Sequence, residues 1–369
     1  MKVAILSIPP RTNYGGLLQL YALQTFLESL GHSVIILDKP YERKLSIKRR
    51  YLAYLKRGII KYFLRKNIEI FVERKYNKFY PIISQLTNQF IKDYLRIKSY
   101  DSLYDIQEKE YDAFVVGSDQ IWRKKYNKNI QNSFLDFAVN WKIKRIAYAA
   151  SFGTKEWEYS TKETEMCKDL LKLFDAVSVR EATAINLCNK HLCYNNVSQV
   201  LDPTLLIPKA KYEELIINGN TNSCEGDLFV YFLDDSILKR KFVASIAHKM
   251  GLKQFFIELA DINNKKIIPQ PSVQQWLRSF RDSKFVITDS FHGTIFSIIF
   301  NKPFIAIGNA KRGLSRFLSL LSLYGLEDRL VLDINNPKIK IPEIKEMDYT
   351  FRGELLQNSR NFLKQSFKL

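Results

Sequence analysis

The chain has 369 residues, of which 46% are hydrophobic and 26% are charged, and its formal net charge is +19. This length exceeds what one hydrophobic core usually serves, so we expect two domains. The hydrophobic content excludes general disorder, and since no uncharged apolar run approaches about 18 residues, no membrane-spanning helix is predicted.

The predicted elements begin with an apolar strand at Lys2–Ser7, which is followed by a polar, glycine-bearing loop at residues 11–16. Apolar residues then recur at helical spacing over Leu17–Leu27, and Gly31 is suited to end that helix. A second apolar run covers Val34–Asp38. The order strand, loop, helix, strand predicts the start of a parallel, doubly wound α/β sheet.

The next region, residues 41–105, is predicted to form helices inserted into the first lobe. Residues 41–80 carry 13 Lys or Arg residues against three acidic residues, and aromatic residues alternate with the basic ones. Because no nucleic-acid recognition motif accompanies this charge, nucleic acid is not an expected partner. Two interpretations stay open: an interfacial helix on an anionic membrane surface, or a solvated helical face above an apolar underside.

Further strands are predicted along the rest of the chain, and turn-forming residues between 203 and 227 indicate a junction between two lobes. We predict an N-terminal lobe over residues 1–205, a C-terminal lobe over 206–350 and a C-terminal helix over 351–369. The strands are predicted at Ala113–Val116, Arg145–Ala149, Ala176–Val179, Val197–Asp202, Leu228–Leu233, Phe255–Ile257, Phe285–Thr288 and Pro303–Ile307.

The expected cellular location follows from the first strand and from the cysteines. Residues 1–8 lead into Pro-Pro-Arg rather than a small-residue cleavage site, so we interpret them as a strand and not as a secretion signal. The four cysteines lack zinc-binding spacing, and reduced thiols are expected. We therefore expect a cytoplasmic protein without a metal site, which the basic region would bring to the inner face of the plasma membrane if it binds lipid.

Two loops at predicted strand ends carry candidate substrate-binding residues. Ligands of open parallel sheets bind at the carboxyl ends of the strands, and a glycine pair there lets the backbone approach a ligand closely. Neither loop has the glycine spacing of a dinucleotide site. The alternatives are a tight turn for the glycines and a helix N-cap for the aspartate. The candidates are Asn13, Gly15 and Gly16 in the first loop, and Ser118, Asp119, Gln120 and Trp122 in the second, where Trp122 would stack on a pyranose face.

A third motif, Thr288–Thr294, joins a predicted strand to a predicted helix and contains His292. It places the imidazole at a helix N-terminus, beside backbone amides that lack helical partners and at the positive end of the helix dipole. Histidine is the side chain that changes its charge nearest to neutral pH, so proton transfer suits it. His292 is therefore predicted to be catalytic rather than a packing residue, with Asp289 or Ser290 as the helix cap.

Cationic residues follow two other predicted strands. Arg180 comes directly after one of them, and Lys311, Arg312 and Arg316 follow the last one. A ligand that carries both a carboxylate and a phosphate needs at least two positive groups, and arginine can bind each of them in bidentate geometry. The strand-end positions favour an anion site over simple surface solvation, most strongly for Arg180 and Arg312.

Taken together, these motifs resemble the polysaccharide pyruvyl transferase family. Seven blocks occur in the order of the family pattern, and they are specific as a set although no single block is decisive. The blocks are Asn13–Gly16 with Leu18–Gln24, Val116–Trp122, Tyr148–Gly153, Ser178–Glu181, Leu201–Thr204, Thr288–Thr294 and Arg312–Phe317.

The resemblance implies two Rossmann-like lobes arranged as in GT-B glycosyltransferases, with the active site between them. It implies transfer of a pyruvyl group from phosphoenolpyruvate, a co-substrate, to two hydroxyls of a sugar in a capsule, an exopolysaccharide or a cell-wall polymer. A lipid-linked precursor as the acceptor is a separate hypothesis that rests on the basic helices. It implies no other cofactor. By motif position, the family's histidine and arginine correspond to His292 and Arg180, and its later basic residues to Lys311 and Arg312.

In that chemistry His292 is expected to transfer protons, while cationic groups and backbone amides hold the anionic donor. The expected catalytic residues are His292 and Arg180, and the expected donor-binding residues are Ser290, Gly293, Thr294, Lys311 and Arg312.

Two alternative functions stay open. The first is a nucleotide-sugar-dependent glycosyltransferase of the same architecture, which would need a carboxylate at the ribose, with Asp289 or Asp202 as candidates. The second is a non-catalytic protein that binds polyanions or membranes through its positive charge. ATP hydrolysis, zinc proteolysis and serine esterase chemistry are disfavoured because their motifs do not occur in the sequence.

Overall fold

The computed structural model describes residues 1–39, 47–65, 69–257, 259, 267–308, 313–336, 339–344 and 353–368. These residues form two β-sheets with helices on their faces, and every recorded strand pair is parallel. The first sheet has the strand order β3-β2-β1-β4-β5-β6-β7, and the second has the order β9-β8-β10-β11-β12. Both are doubly wound orders, so the structure confirms the α/β class with two Rossmann-like lobes.

The strands are short and largely apolar, as expected for parallel strands with both faces covered. In β4, β8, β10 and β11 every residue is buried. The first sheet consists of β1 (Lys2–Leu6), β2 (Ser33–Asp38), β3 (Ile97–Ser99), β4 (Ala113–Val116), β5 (Lys144–Ala150), β6 (Ala176–Val179) and β7 (Val197–Gln199). The second consists of β8 (Leu228–Tyr231), β9 (Gln254–Phe256), β10 (Phe285–Thr288), β11 (Phe304–Ile307) and β12 (Leu330–Val331).

The helices mostly alternate with the strands: three consecutive helices lie between β2 and β3, and only short 3-10 turns lie between β3 and β4 and between β4 and β5. Within the described ranges, no helix combines the length and apolarity that crossing a bilayer requires. The helices are α1 (Tyr14–Ser29), α2 (Ile47–Tyr62), α3 (Val72–Ile83), α4 (Gln85–Tyr94), α5 (Thr161–Leu171), α6 (Ala182–Leu192), α7 (Lys209–Asn218), α8 (Ile237–Met250), α9 (Val273–Asp282), α10 (Phe291–Ile299), α11 (Leu314–Tyr324) and α12 (Gly353–Ser366).

The predicted insert at residues 41–105 needs one correction. Its described residues are helical through α4, but β3 belongs to the first sheet, where it pairs with β2 as an edge strand. This strand has three residues and one hydrophobic side chain, Ile97, which is too little for a recognisable strand pattern.

The two lobes are packed together rather than merely linked. One hydrophobic cluster includes Ile5 and Val115 from the first sheet, Phe229 and Val286 from the second, and Leu363 from α12. The last helix thus packs back onto the main core. The predicted lobe boundary at residue 205 falls between β7 and β8, and as a boundary between independent domains it stays a prediction.

Candidate active site

A cavity of about 360 Å³ lies where the carboxyl ends of both sheets meet. In each sheet this is the point where the strand order reverses, between β1 and β4 and between β8 and β10, which is where open α/β sheets bind ligands. Both lobes therefore contribute to one site. The lining residues are Ile8, Asn13, Asp119, Gln120 and Tyr126 from the first lobe, and Leu233, Asp289, Ser290, Phe291, His292, Arg316 and Phe317 from the second.

Two buried arginines and two buried aspartates form a network beside this cavity. Arg180 donates from Nη1 to Asp202 Oδ2 at 2.5 Å and from Nη2 to Asp119 Oδ1 at 3.1 Å. Arg316, from the second lobe, donates from Nη1 to the same Asp119 oxygen at 3.3 Å. The shared carboxylate thus joins the two lobes and holds both guanidinium groups near each other.

The ring of Phe291 lies against both guanidinium groups. Its centroid is 4.5 Å from Arg180 Cζ and 5.0 Å from Arg316 Cζ. The face of an aromatic ring attracts cations, so Phe291 stabilises two like charges that would otherwise repel each other. The ring therefore helps to fix the position of the cationic groups.

The pKa values of this network follow from burial and from the neighbouring charges. Burial alone would raise the pKa of Asp119, but Arg180 and Arg316 outweigh it and the pKa lies below its ordinary value. Burial would also raise the pKa of Asp202, but His292 and Arg180 lower it by more, so this pKa too lies below its ordinary value. Burial, aided by Arg180, lowers the pKa of Arg316 to about 10. Both carboxylates and both guanidinium groups are therefore charged at neutral pH.

His292 lies between Asp202 and Gly15. Its Nε2 atom is 3.5 Å from Asp202 Oδ2. On the other side of the ring, a Cβ added to Gly15 would sit 2.1 Å from His292 Nδ1, so only glycine leaves room for the imidazole there. The first turn of α1 and the first turn of α10 thus meet at this histidine.

The start of α10 points its backbone amides towards the cavity. Ser290 is the N-cap: its Oγ accepts a hydrogen bond from the Gly293 amide at 3.2 Å, and its carbonyl accepts one from the Thr294 amide at 2.9 Å. Within the described ranges, no hydrogen-bond acceptor is recorded for the amides of Phe291 and His292. The positive end of the helix dipole therefore lies at the cavity, an arrangement that favours an anion.

Comparison with protein families identifies the chain. The sequence model described as polysaccharide pyruvyl transferase matches residues 13–311, which is most of the chain. The chain belongs to the polysaccharide pyruvyl transferase family. It is therefore an enzyme of polysaccharide biosynthesis, and its acceptor is a saccharide. The comparison with curated proteins finds no match.

Solved structures with a similar fold include two epimerases and a glycosyltransferase. The UDP-GlcNAc 2-epimerase of Neisseria meningitidis is 11% identical, with a TM-score of 0.48 and coverage of 100% of this chain and 99% of that one. The corresponding enzyme of Methanocaldococcus jannaschii is 12% identical, with a TM-score of 0.46 and coverage of 97% and 99%. A UDP-glucosyltransferase from Polygonum tinctorium is 11% identical, with a TM-score of 0.42 and coverage of 99% and 93%.

In this pyruvyl transferase, some of the predicted residues line the cavity and others support it. Asn13, Asp119, Gln120, Ser290 and His292 line it. The others lie nearby without lining it: Gly15 packs against His292, Gly16 lies beside the Asn13 side chain, Gly293 and Thr294 are buried in α10, and Arg180 lines a smaller adjoining cavity. Lys311 and Arg312 lie outside the described residues.

Two predicted substrate contacts are wrong. Trp122 cannot stack on a sugar, because its side chain is buried and lies parallel to Phe134 with ring centroids 4.9 Å apart. Ser118 is also buried, and its hydroxyl donates to the carbonyl of Ala149 inside the first lobe. Asp119 is not a helix cap: its Oδ1 accepts from both arginines, and the residue lines the cavity.

The sequence interpretation missed two residues of this pyruvyl transferase's network. The sequence indicates Asp202 as a motif residue and a candidate ribose ligand, whereas in the structure it contacts both Arg180 and His292. Phe291 was named only as part of a motif, yet its ring touches both guanidinium groups. The available signal was position, because each residue lies just beyond a strand end. Within the described ranges, no group of acidic, histidine or cysteine side chains is placed to hold a metal ion.

Proposed function

We propose that this enzyme transfers a pyruvyl group from phosphoenolpyruvate to two hydroxyls of one sugar residue, giving a cyclic ketal and inorganic phosphate. The main support is the cavity at the two strand-order reversals, where His292 and Arg316 from one lobe face Asn13 and Gln120 from the other. An acid–base group, a guanidinium group and neutral hydrogen-bonding side chains are among the groups that this reaction needs.

The donor-binding part of the proposal rests on the second lobe. Phosphoenolpyruvate carries a carboxylate and a phosphate, and Arg316 together with the first amides of α10 offers positive charge and hydrogen-bond donors to one of them. Lys311 and Arg312 precede Arg316 closely in the sequence, and we propose them as ligands of the other anionic group. Arg180 acts from behind Phe291, by keeping the local positive charge in place.

The chemistry requires proton transfer in both directions. His292 donates a proton to the methylene carbon of phosphoenolpyruvate, which makes the neighbouring carbon electrophilic, and one sugar hydroxyl adds there and gives its proton back to the imidazole. The phosphate then leaves with the electron pair of its bond to this carbon and takes up a proton. The second sugar hydroxyl adds to the same carbon and loses its proton. The sum is one donor and two hydroxyls giving one ketal and one hydrogen phosphate.

The acceptor is the least determined part of the reaction. Asn13, Gln120 and Tyr126 line the cavity with amide and hydroxyl groups that can hydrogen-bond to a sugar. We propose that this sugar belongs to a bacterial surface polysaccharide, such as a capsule or exopolysaccharide, or to its lipid-linked precursor. A lipid-linked precursor would be met at the inner face of the plasma membrane, with the enzyme bound there peripherally.

The proposal is tested by measuring phosphate release from phosphoenolpyruvate in the presence of candidate glycans. We expect His292→Ala to stay folded and to lose about 100-fold or more in rate, because the proton-transfer group is gone. His248→Ala is the matched control, since this histidine is exposed on α8, and it should keep the wild-type rate.

Replacing phosphoenolpyruvate by a nucleotide sugar in the same assay distinguishes the alternative function. Release of a nucleoside diphosphate from the nucleotide sugar, together with no release of phosphate from phosphoenolpyruvate, would show a glycosyltransferase and contradict pyruvyl transfer. An unchanged rate in His292→Ala would remove the imidazole from the mechanism.

A further inference from the structure

Helix α2 turns its apolar stripe away from the protein. Leu52, Leu55 and Ile59 recur at three- and four-residue spacing, and Tyr62 and Phe63 continue the stripe. All five are about half exposed or more, and Phe63 is 82% exposed. Amphipathic helices of globular proteins normally bury this face, so a contiguous exposed stripe marks a binding surface.

The opposite face of α2 is the one that packs on the chain. Arg57 makes a two-pronged ion pair with Glu73 of α3, with Nη1 and Nη2 donating at 2.7 and 2.8 Å. Tyr54 packs edge-on against Phe71 with ring centroids 4.9 Å apart. The interpretation of this region as a solvated outer face is therefore wrong for α2, because the outer face is apolar, while the underside holds both the arginine and an aromatic pair.

Positive charge surrounds the exposed stripe. Arg50, Lys56 and Arg65 are exposed, and no ion-pair partner for them is recorded among the described residues. Across residues 41–80 the sequence has 13 Lys or Arg residues and three acidic ones. An apolar stripe of Leu, Ile and aromatic residues flanked by basic side chains matches an anionic lipid interface, which offers hydrocarbon beneath negatively charged headgroups.

A chain of contacts connects this surface with the cavity. Helix α3, on which α2 packs, ends at Ile83, and the carbonyl of Ile83 accepts a hydrogen bond from the Gln270 amide at 2.9 Å. The side-chain amide of Gln270 donates to the carbonyl of Thr12 at 2.6 Å. Thr12 directly precedes the cavity-lining Asn13, so α2 is attached to the structure that borders the cavity.

We propose that the outer face of α2, formed by Leu52, Leu55, Ile59, Tyr62 and Phe63 with the basic residues beside them, docks on anionic phospholipid headgroups. The docked enzyme lies against the membrane, with a few residues of α2 at the level of the headgroups and its lobes in the aqueous phase. This docking brings the cavity close to a lipid-linked acceptor, and this statement about the acceptor rests on the proposed function.

The test is sedimentation of the full chain with vesicles of phosphatidylcholine, with and without phosphatidylglycerol, at low and high salt. We expect binding to the anionic vesicles, weakened by salt, and little binding to pure phosphatidylcholine. The triple variant Leu52→Ser, Leu55→Ser, Ile59→Ser should bind anionic vesicles at least about tenfold more weakly, because the inserted apolar area is lost.

The matched control is Ile217→Ser, Ile237→Ser, Leu238→Ser, which removes three apolar side chains elsewhere on the surface that are, as a set, more exposed than the three of α2. It should bind vesicles as the wild type does, and circular dichroism checks that both variants are folded. Equal vesicle binding by the wild type and the α2 variant would overturn the proposal.

A second copy of the chain is the other candidate to cover the stripe. A wild-type dimer that the α2 variant converts to monomers, together with no vesicle binding by the wild type, would overturn membrane docking in favour of self-association. The vesicle measurement requires no turnover, so its failure and the failure of pyruvyl transfer can be told apart.

Discussion

Asp202 contacts both residues that the family motifs single out, one from each lobe. Its Oδ2 accepts from Arg180 at 2.5 Å and lies 3.5 Å from His292 Nε2, while its Oδ1 accepts from the amide and the hydroxyl of Thr204 at 3.0 and 2.7 Å. A carboxylate beside Nε2 favours the tautomer that carries hydrogen there, leaving Nδ1 to exchange protons with a ligand. We infer that Asp202 is a positioning residue for the imidazole.

Asp202→Asn tests this role while keeping the size of the side chain. We expect phosphate release to fall about 100-fold or more, because the neutral amide no longer selects the tautomer of His292. Nitrogen-15 NMR of the imidazole should show the tautomer change directly. Asp282→Asn is the control, since Asp282 also accepts from two arginines, Arg278 and Arg281, but at the surface, and its activity should stay unchanged.

The same variant has a pH-dependent effect on stability. The pKa of Asp202 is lower in the folded protein than its unfolded value near 3.8, so the ionised carboxylate stabilises the fold above that pH and the stabilisation is lost as pH falls. At neutral pH we expect Asp202→Asn to lower the free energy of unfolding by about 3 kcal/mol. The difference from the wild type should shrink as the pH is lowered below about 4. A constant difference across this range would contradict an ionised Asp202.

At the scale of elements, the first turns of α1 and α10 approach each other in the cleft. Each helix follows a strand of its sheet through a loop, with Asn13 and Ser290 as N-caps that accept from the amides three residues on. Gly15 on α1 is the point of closest approach to His292 on α10. The position of the imidazole thus depends on a residue that has no side chain.

Gly15→Ala and Gly16→Ala form a matched pair in the same helical turn. The Cβ of the first would lie 2.1 Å from His292 Nδ1, whereas the nearest atom to the Cβ of the second is 3.7 Å away. We expect Gly15→Ala to lose about 100-fold in phosphate release, because the imidazole must move. Gly16→Ala should keep most of the activity. Equal activity of the two variants would show that the histidine need not occupy its observed position.

Most of the elements could be predicted from the sequence because parallel strands here are short apolar runs bounded by polar residues. The strands β4, β6 and β10 lie at their predicted bounds. The strands β3 and β12 have three and two residues, and at that length periodicity carries no signal. Their place in the sheets is decided by pairing with β2 and β11.

The site was predictable where position alone decides it. His292, Asp119 and Gln120 follow strand ends, and all three line the cavity. Trp122 follows the same strand end, but it packs on Phe134, and only tertiary contacts decide whether an aromatic ring faces core or ligand. The network of Arg316 with Asp119 joins residues 197 positions apart, which no local pattern reveals.

At the scale of the whole molecule, the candidate active site is formed by both lobes together. His292 and Arg316 come from the second lobe, and their carboxylate partners Asp202 and Asp119 come from the first. Neither lobe alone contains both the imidazole of His292 and the carboxylate beside it. The net charge of +19 is also a property of the whole chain, and more than half of it lies in the region that carries α2.

The most direct test of the central claim is to incubate the enzyme and an acceptor glycan with carbon-13-labelled phosphoenolpyruvate in D₂O and to analyse the product by NMR. We predict a labelled ketal on the sugar, with one deuterium in its methyl group that is delivered from solvent through His292. The variant His292→Ala should form this product much more slowly than the wild type. An acceptor that gains no label, while the same enzyme consumes a nucleotide sugar, would contradict the proposed reaction.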